Sequence, residues 1–237
     1  MTQALPLQRF ERRVPPRWPW VLVSLCLACL AIKIALILLG PAGGEAWLYL
    51  WGFRPDAIMA VLHREDPRTW LDPELAGLVT AMFVHLDWLH LTGNLAYLWV
   101  FGIAVERAVG HWRFALLFLI LGGLANLYVA WRLGDSSRLV IGASGGVSAI
   151  IGVYLGLFPT RRMGLWLPLG IYLQFARVPA LLVIGSWFTL QLLYTMFGPI
   201  SSAVAWSAHV AGFLAGVLAA LLLRMFAGSL PLDLRDD

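Results

Sequence analysis

The stretch AVAWSAHVAGFLAGVLAALLLRMF, residues 203–226, is a run of 24 residues whose ionisable side chains are one histidine and one arginine near its end. About 20 consecutive apolar residues in a helix cross the roughly 30 Å hydrocarbon core of a bilayer, so the run predicts a transmembrane helix. Gly212 and Gly216 follow His209 by three and seven positions, which puts all three on one helix face. Small residues on that face allow a neighbouring helix to approach closely.

Five further apolar runs precede this one, and the fourth is shorter and richer in glycine than the others. They cover residues 18–39, 78–105, 112–133, 141–158 and 178–197. The chain of 237 residues is 60% hydrophobic and 13% charged, whereas a soluble domain is roughly 45–50% apolar and about 25% charged. This composition excludes a water-soluble globule. The sequence predicts an all-α polytopic membrane protein, a bundle of six transmembrane helices.

The runs divide the chain into a short N-terminal segment, residues 1–17, a six-span membrane domain, residues 18–226, and a short C-terminal tail, residues 227–237. The first connection, residues 40–77, is apolar in parts, but Gly52 and Pro55 divide it into apolar stretches too short to span a bilayer. We expect this loop to lie in the membrane interface. No fixed repeat period supports an inverted-repeat transporter.

The arginines predict the orientation. With the N-terminus inside, eleven arginines fall on the inner side and five on the outer side, and the one lysine, Lys33, lies within the first span. The positive-inside rule therefore places both termini in the cytoplasm of a cell membrane. The net charge of +4 is spread between apolar runs and forms no basic face, so no nucleic-acid partner is expected. The inner set is Arg9, Arg12, Arg13, Arg17, Arg107, Arg113, Arg161, Arg162, Arg177, Arg224 and Arg235.

Four polar residues stand out, because polar groups inside a bilayer are costly and often functional. His90 and Asn94 lie in the second run, Ser144 opens the fourth, and His209 lies in the sixth. Even-numbered spans run from outside to inside, so residues early in these three spans share a similar depth below the outer surface. Chain direction alone makes them potential neighbours.

Ser144 lies in IGASGGV, residues 141–147, a glycine-rich entry to a helix. Glycines permit a tight turn there, and the free N–H groups of the helix start would stabilise an oxyanion beside the serine. This arrangement suits a nucleophile. The alternative is that Ser144 only caps the fourth helix and that the glycines serve helix packing.

His209 is the candidate base, because a serine becomes nucleophilic when a neutral histidine accepts its proton. The glycine face of the sixth span would meet Gly145, Ser148 and Gly152 of the fourth and bring His209 to Ser144. His90 and Asn94 share a helix face and can donate hydrogen bonds to an oxyanion. Polar contacts between helices, without chemistry, are the alternative for all three residues.

A metal site formed by His85, His90 and His209 is the weaker hypothesis. His85 and His90 are five positions apart, not the four that place two ligands on one helix face, and no glutamate lies between them. We therefore predict no metal ion. Asp87 precedes His90 near the interface, where we expect it to be solvated, and this favours a Ser-His dyad over a triad.

Several motifs together resemble the rhomboid family of intramembrane serine proteases: HLDWLHLTGN at 85–94, VERAVG at 105–110, GASG at 142–145 and AHVAG at 208–212. The resemblance implies a rhomboid-like bundle with an interfacial first loop. It also implies that Ser144 is the nucleophile and His209 the general base, and that His90 and Asn94 stabilise the oxyanion. His85 matches a family histidine that helps to hold water and hydrogen bonds near the site.

The same resemblance implies hydrolysis of peptide bonds in or next to transmembrane segments of membrane proteins. Substrates would enter laterally from the lipid between spans two and five, the active site would open to the outer side, and no cofactor would be needed. Two other functions remain open. One is a non-catalytic membrane protein that binds partner transmembrane helices, and the other is a proton-coupled transporter with Asp87 or Glu106 as carrier.

Overall fold

The computed structural model describes residues 18–66, 68–169, 172–197 and 206–226. The predicted N-terminal segment 1–17, with its four arginines, and the predicted C-terminal tail 227–237 lie outside these residues, as do residues 203–205 at the start of the sixth run. For residues 165–169 and 172–173 only the backbone is described.

The described chain consists mainly of helices. In order these are α1 (Trp20–Leu38), α2 (Gly40–Trp51), α3 (Pro55–Leu62), α4 (Gly77–Thr80), α5 (Trp88–Val109), α6 (His111–Arg132), α7 (Ser144–Leu157), α8 (Ala180–Phe197) and α9 (Trp206–Met225), with 3-10 turns at Thr69–Leu71, Pro73–Ala76 and Ala81–Phe83. One antiparallel hairpin, β1 (Arg162–Leu169) and β2 (Tyr172–Pro179), separates α7 from α8.

The predicted all-α membrane bundle is confirmed. Among the described residues, five helices, α1, α5, α6, α8 and α9, are long and apolar enough to cross a bilayer. The fourth predicted span corresponds to α7, an apolar helix of 14 residues, which is about 21 Å long at 1.5 Å per residue. It is shorter than the others, as its sequence indicated.

The predicted start of the second span, residue 78, is wrong. Asp87 has an extended backbone and its side chain accepts the N–H of His90 at 2.7 Å, so it caps a helix that begins only at Trp88. The preceding residues form α4 and a 3-10 turn, Ala81–Phe83. His85 and Asp87 therefore precede the membrane-spanning helix instead of lying within it.

The first loop contains two helices, α2 and α3. The chain reverses at Gly40, whose φ of +69° is readily adopted only by glycine. α2 has 12 residues, about 18 Å of helix, which is too short to cross a bilayer. Phe53 pairs with Val140 in an isolated β-bridge, which fastens this loop to the segment that leads into α7.

The hairpin β1–β2 was not predicted from the sequence. Its register runs from Arg162 opposite Pro179 to Leu169 opposite Tyr172. Residues 162–179 are apolar at both odd and even positions, so they lack the alternation that identifies a strand with one buried face. Span five was expected to start at residue 178, and α8 begins at Ala180, directly after the hairpin.

α7 lies at the centre of the bundle, and 11 of its 14 residues are buried. It packs against α5, α6 and α9. Ile150 of α7 and Phe114 and Phe118 of α6 are fully buried in the main core cluster. The helix that begins with Ser144 is thus surrounded by α5, α6 and α9.

Candidate active site

Ser144 is the first residue of α7, and the turn before it depends on glycine. Gly142 has a φ of +116°, and its N–H donates to the carbonyl of Ala81 at 2.8 Å. Ser144 itself is half-buried, whereas the residues that follow it are buried. The first N–H groups of a helix have no carbonyl four residues earlier to bind. The serine hydroxyl and free backbone donors therefore occur together at this helix start.

The predicted close contact of the glycine face of α9 with α7 is confirmed, but Gly216 meets Ala149 where Ser148 was predicted. A Cβ atom on Gly212 would lie 2.2 Å from the carbonyl oxygen of Gly145, and one on Gly216 would lie 2.0 Å from that of Ala149. The two backbones therefore touch, and the order of the contacts shows that the helices run in parallel.

Ser144 and His209 lie at the same level of this helix pair. Their chain neighbours meet: a Cβ built on Gly145 would lie 3.8 Å from the Cβ of Ala208. His209 is also one helical turn before Gly212, the residue that touches Gly145. The close packing of α7 on α9 thus brings the candidate nucleophile and the candidate base to the same end of the pair.

His209 is buried, with 9% of its surface exposed. Its Nδ1 lies 2.6 Å from Oε1 of Gln191 on α8, and the indole of Trp206 meets its ring edge-on, with centroids 5.6 Å apart. Its Nε2 is buried and has no hydrogen-bond partner within the described ranges. With the amide oxygen of Gln191 toward Nδ1, that nitrogen carries the proton and Nε2 presents a lone pair.

His85, Asn94 and Ala143 form a second group of contacts on the other side of the turn. Nε2 of His85 accepts the Asn94 amide at 3.1 Å and the backbone N–H of Ala143 at 3.4 Å. Burial, reinforced by the nearby His90, lowers the pKa of His85 to about 4. The imidazole is therefore neutral at pH 7, as a ring that accepts hydrogen bonds at Nε2 must be.

His90 packs directly on the turn before Ser144. A Cβ on Gly142 would lie 2.5 Å from Cε1 of His90, so this side chain also requires glycine at position 142. The rings of His90 and His85 meet edge-on, with centroids 5.1 Å apart. His85, His90 and Asn94 thus collect at residues 142–143, and His209 approaches the same helix start on α9.

The two acidic residues considered as alternatives have other partners. Asp87 is exposed, as expected, and caps α5. Glu106 is buried near the C-terminal end of α5, where its carboxylate accepts the N–H groups of Val21 and Leu22 at 3.0 and 2.8 Å and pairs with His111. It thus caps the start of α1.

Gln191 is a polar residue of the fifth span to which sequence reasoning gave no role. The available signal was a glutamine within an otherwise apolar span, but chain order gave it no partner. The structure supplies that partner in His209. As for the metal hypothesis, the described residues contain no group of three or more His, Cys, Asp or Glu side chains arranged to hold an ion.

Comparison with known proteins identifies a family that this chain matches. A family model described as the Rhomboid domain matches residues 72–226. Rhomboid-like protein 11, chloroplastic, of Arabidopsis thaliana is 31% identical over 177 residues, which cover 70% of this chain and 59% of that protein. Rhomboid protease GlpG of Salmonella paratyphi A is 29% identical over 214 residues, 90% of this chain and 64% of that protein. The chain spans about three fifths of the length of these curated relatives.

Proposed function

Because the chain belongs to the rhomboid family and is a multi-pass membrane protein, we propose that it is an intramembrane serine endopeptidase. Its substrates are membrane proteins, and it hydrolyses peptide bonds in or next to their transmembrane segments. Ser144 is the nucleophile and His209 the general base of a Ser-His dyad that needs no metal or cofactor. Relatives named as rhomboid proteases support the reaction class.

The observation that supports this function best is the state of His209. Its Nδ1 is bound to Gln191, whereas its buried Nε2 has no partner among the described residues. A buried polar atom without a partner costs stability, so such atoms are rare and often mark a site of chemistry. The contact of Gly145, next to Ser144, with Gly212, one turn after His209, supports the pairing of these two residues.

In the proposed acylation step, Nε2 of His209 takes the hydroxyl proton as Ser144 Oγ attacks the carbonyl carbon of the scissile bond. The tetrahedral intermediate collapses when the C–N bond breaks, and the imidazolium returns the proton to the leaving amine. Water then attacks the acyl-enzyme with His209 again as base, which releases the carboxylic acid and restores the serine.

The oxyanion of the intermediate is stabilised by His90, Asn94 and the backbone N–H of Ser144. Asn94 supports this role because one amide hydrogen binds His85 and fixes the side chain, which leaves the second hydrogen for the substrate. His85 thereby positions the donor. One such donor contributes about 3 kcal/mol to transition-state stability.

Substrate is proposed to enter from the lipid between α5 and α8. The rings of Tyr97 on α5 and Trp187 on α8 close this opening, with centroids 6.2 Å apart. The orientation predicted from the arginines has both termini in the cytoplasm and the start of α7 facing the outer side. A short α7 that begins below the surface would allow water to reach Ser144 from that side.

Labelling with a fluorophosphonate serine-hydrolase probe tests this function on the detergent-purified protein. We expect labelling of the wild type, none of Ser144→Ala or His209→Ala, and weaker labelling of Asn94→Ala. Ser148→Ala is the matched control, since it makes the same change one helical turn further along α7 and should label normally. Circular dichroism and gel filtration establish that each variant is folded.

The same experiment separates the other two functions. Folded wild-type protein that never labels, with probes of several sizes, would favour a protein that only binds partner transmembrane helices. Transport that requires a proton gradient in proteoliposomes and persists in Ser144→Ala would favour the transporter.

A further inference from the structure

Gln191 is a polar side chain of α8 that forms a hydrogen bond with a residue of another helix. Ser186, Thr189 and Thr195 each donate their hydroxyl to a carbonyl of α8 itself, at 3.0, 2.9 and 2.8 Å. Gln191 reaches instead to Nδ1 of His209 on α9, at 2.6 Å, and both side chains are buried. Burying a glutamine among apolar side chains costs free energy, and this cost favours a role for Gln191 beyond α8 itself.

The direction of this hydrogen bond decides where the proton of His209 lies. A neutral imidazole carries one proton, and an amide oxygen can only accept it, so Gln191 Oε1 fixes the proton on Nδ1. Nε2 then has the lone pair that a base requires. If the amide were reversed, its NH₂ would donate to Nδ1, the ring proton would move to Nε2, and the base would be lost.

We propose that Gln191 is a positioning residue for the reaction, which holds His209 in the Nδ1–H tautomer and remains bound to it as the imidazolium forms. The inference rests on the proposed function and adds a third residue to its dyad. Gln191 acts through His209 and does not touch the substrate.

A neutral partner fits the surroundings better than a carboxylate would. The ring of Trp206 lies against His209, and Phe213, one turn further along α9, stacks on Phe188 with ring centroids 4.4 Å apart. An unpaired carboxylate among such groups would carry a large desolvation penalty whenever His209 is neutral. An amide fixes the same tautomer without introducing a buried charge.

The competing explanation is that Gln191 merely ties α8 to α9. Two substitutions of similar length separate these roles. Gln191→Met keeps the length and flexibility of the side chain but removes the oxygen, whereas Gln191→Glu keeps an oxygen within reach of Nδ1. A packing role predicts that Met is tolerated better than Glu, because Glu buries a charge. The positioning role predicts the opposite order.

The first test measures phosphonylation of Ser144 by the fluorophosphonate probe at several concentrations. For Gln191→Met we expect the maximal rate to fall about 10- to 100-fold, the range set by loss of a hydrogen bond to a charged group. The probe concentration at half-maximal rate should stay unchanged. Gln191→Glu should react several-fold faster than Gln191→Met. Leu190→Met, on the exposed side of α8, is the control and should match the wild type.

The second test needs no activity. In protein labelled with ¹⁵N-histidine, the His209 signals, identified by their loss in His209→Ala, should report the Nδ1–H tautomer in the wild type and a mixture in Gln191→Met. The inference would be overturned if His209 of the wild type carried its proton on Nε2. It would also be overturned if the probe labelled Gln191→Met as fast as, or faster than, Gln191→Glu. A wild type that never labels would instead refute the proposed function, with the tautomer still measurable.

Discussion

Among the helices that adjoin α9, α7 and α8 are held against it by opposite means. α7 meets α9 through glycines, backbone against backbone, so that no added methyl group fits at Gly212 or Gly216. α8 meets α9 through large side chains: Tyr194 stacks on Trp206 with centroids 4.7 Å apart, and Phe188 stacks on Phe213. Only 17% of the residues of α8 are buried inside the protein, compared with 39% of the membrane-spanning part of α9.

The difference assigns separate tasks to the two contacts. Interiors packed at the backbone level have little room to adjust, so the α7–α9 pair keeps Ser144 and His209 at a fixed separation. Lipid tails are as apolar as leucine, so a helix that exchanges side-chain contacts for lipid loses little free energy. Under the proposed mechanism, the side chains of α8 that face α5, such as Trp187, can move to admit a substrate, while Ser144, His209 and the hydrogen bond from Gln191 to His209 stay in place.

The largest effect is expected from Gly216→Ala, which adds one methyl group to the rigid contact. The new Cβ would lie 2.0 Å from a backbone oxygen of Ala149, which no side-chain rotation can relieve. We expect the free energy of unfolding to fall by about 3 kcal/mol. The protein that remains folded should react with the probe about 100-fold more slowly. Thermal unfolding in detergent and labelling after gel filtration measure the two effects. Full activity in this variant would show that the contact does not hold the dyad.

Trp187→Ala on α8 is expected to raise substrate cleavage moderately, whereas Gly216→Ala lowers activity. Removing this ring opens the contact with Tyr97 across the proposed entrance and weakens the contact with Phe213 on α9. Cleavage of a single-span membrane substrate should rise roughly two- to fivefold, because entry through a mobile element often limits the rate. Labelling by the small probe should change less. A fall in cleavage at unchanged labelling would mean that substrate does not enter here.

The rigid contact was predictable from the sequence, and the contacts around α8 were not. Gly212 and Gly216 recur at helical spacing after His209, and this local pattern already implies a close helix partner. The link between Gln191 and His209 joins two helices through side chains alone. Nothing in the spacing of either run indicates which face of α8 turns toward α9.

The wrong start of the second span and the unpredicted hairpin have a related cause. The second span begins at Trp88 because Asp87 caps it, but the apolar residues before Asp87 continue the hydrophobic run without a break in composition. The hairpin at residues 162–179 likewise lacks polar alternation. Hydrophobicity identifies which segments avoid water, whereas caps and strand pairing depend on individual hydrogen bonds.

The smallest effect is expected from Gly185→Ala, the counterpart of Gly216→Ala on the loosely held helix. A Cβ on Gly185 would meet no atom within 4 Å, so the added methyl group would face lipid or the space beside α8. Alanine is favoured over glycine within a helix by about 1 kcal/mol at most in water. We therefore expect labelling within roughly twofold of the wild type, below the effect of any lost contact, and an unchanged or slightly higher unfolding temperature. The same substitution thus has opposite consequences on α8 and α9. If Gly185→Ala impaired labelling as strongly as Gly216→Ala, α8 would have to be packed as tightly as α7, and its proposed role as the movable side of the entrance would be excluded.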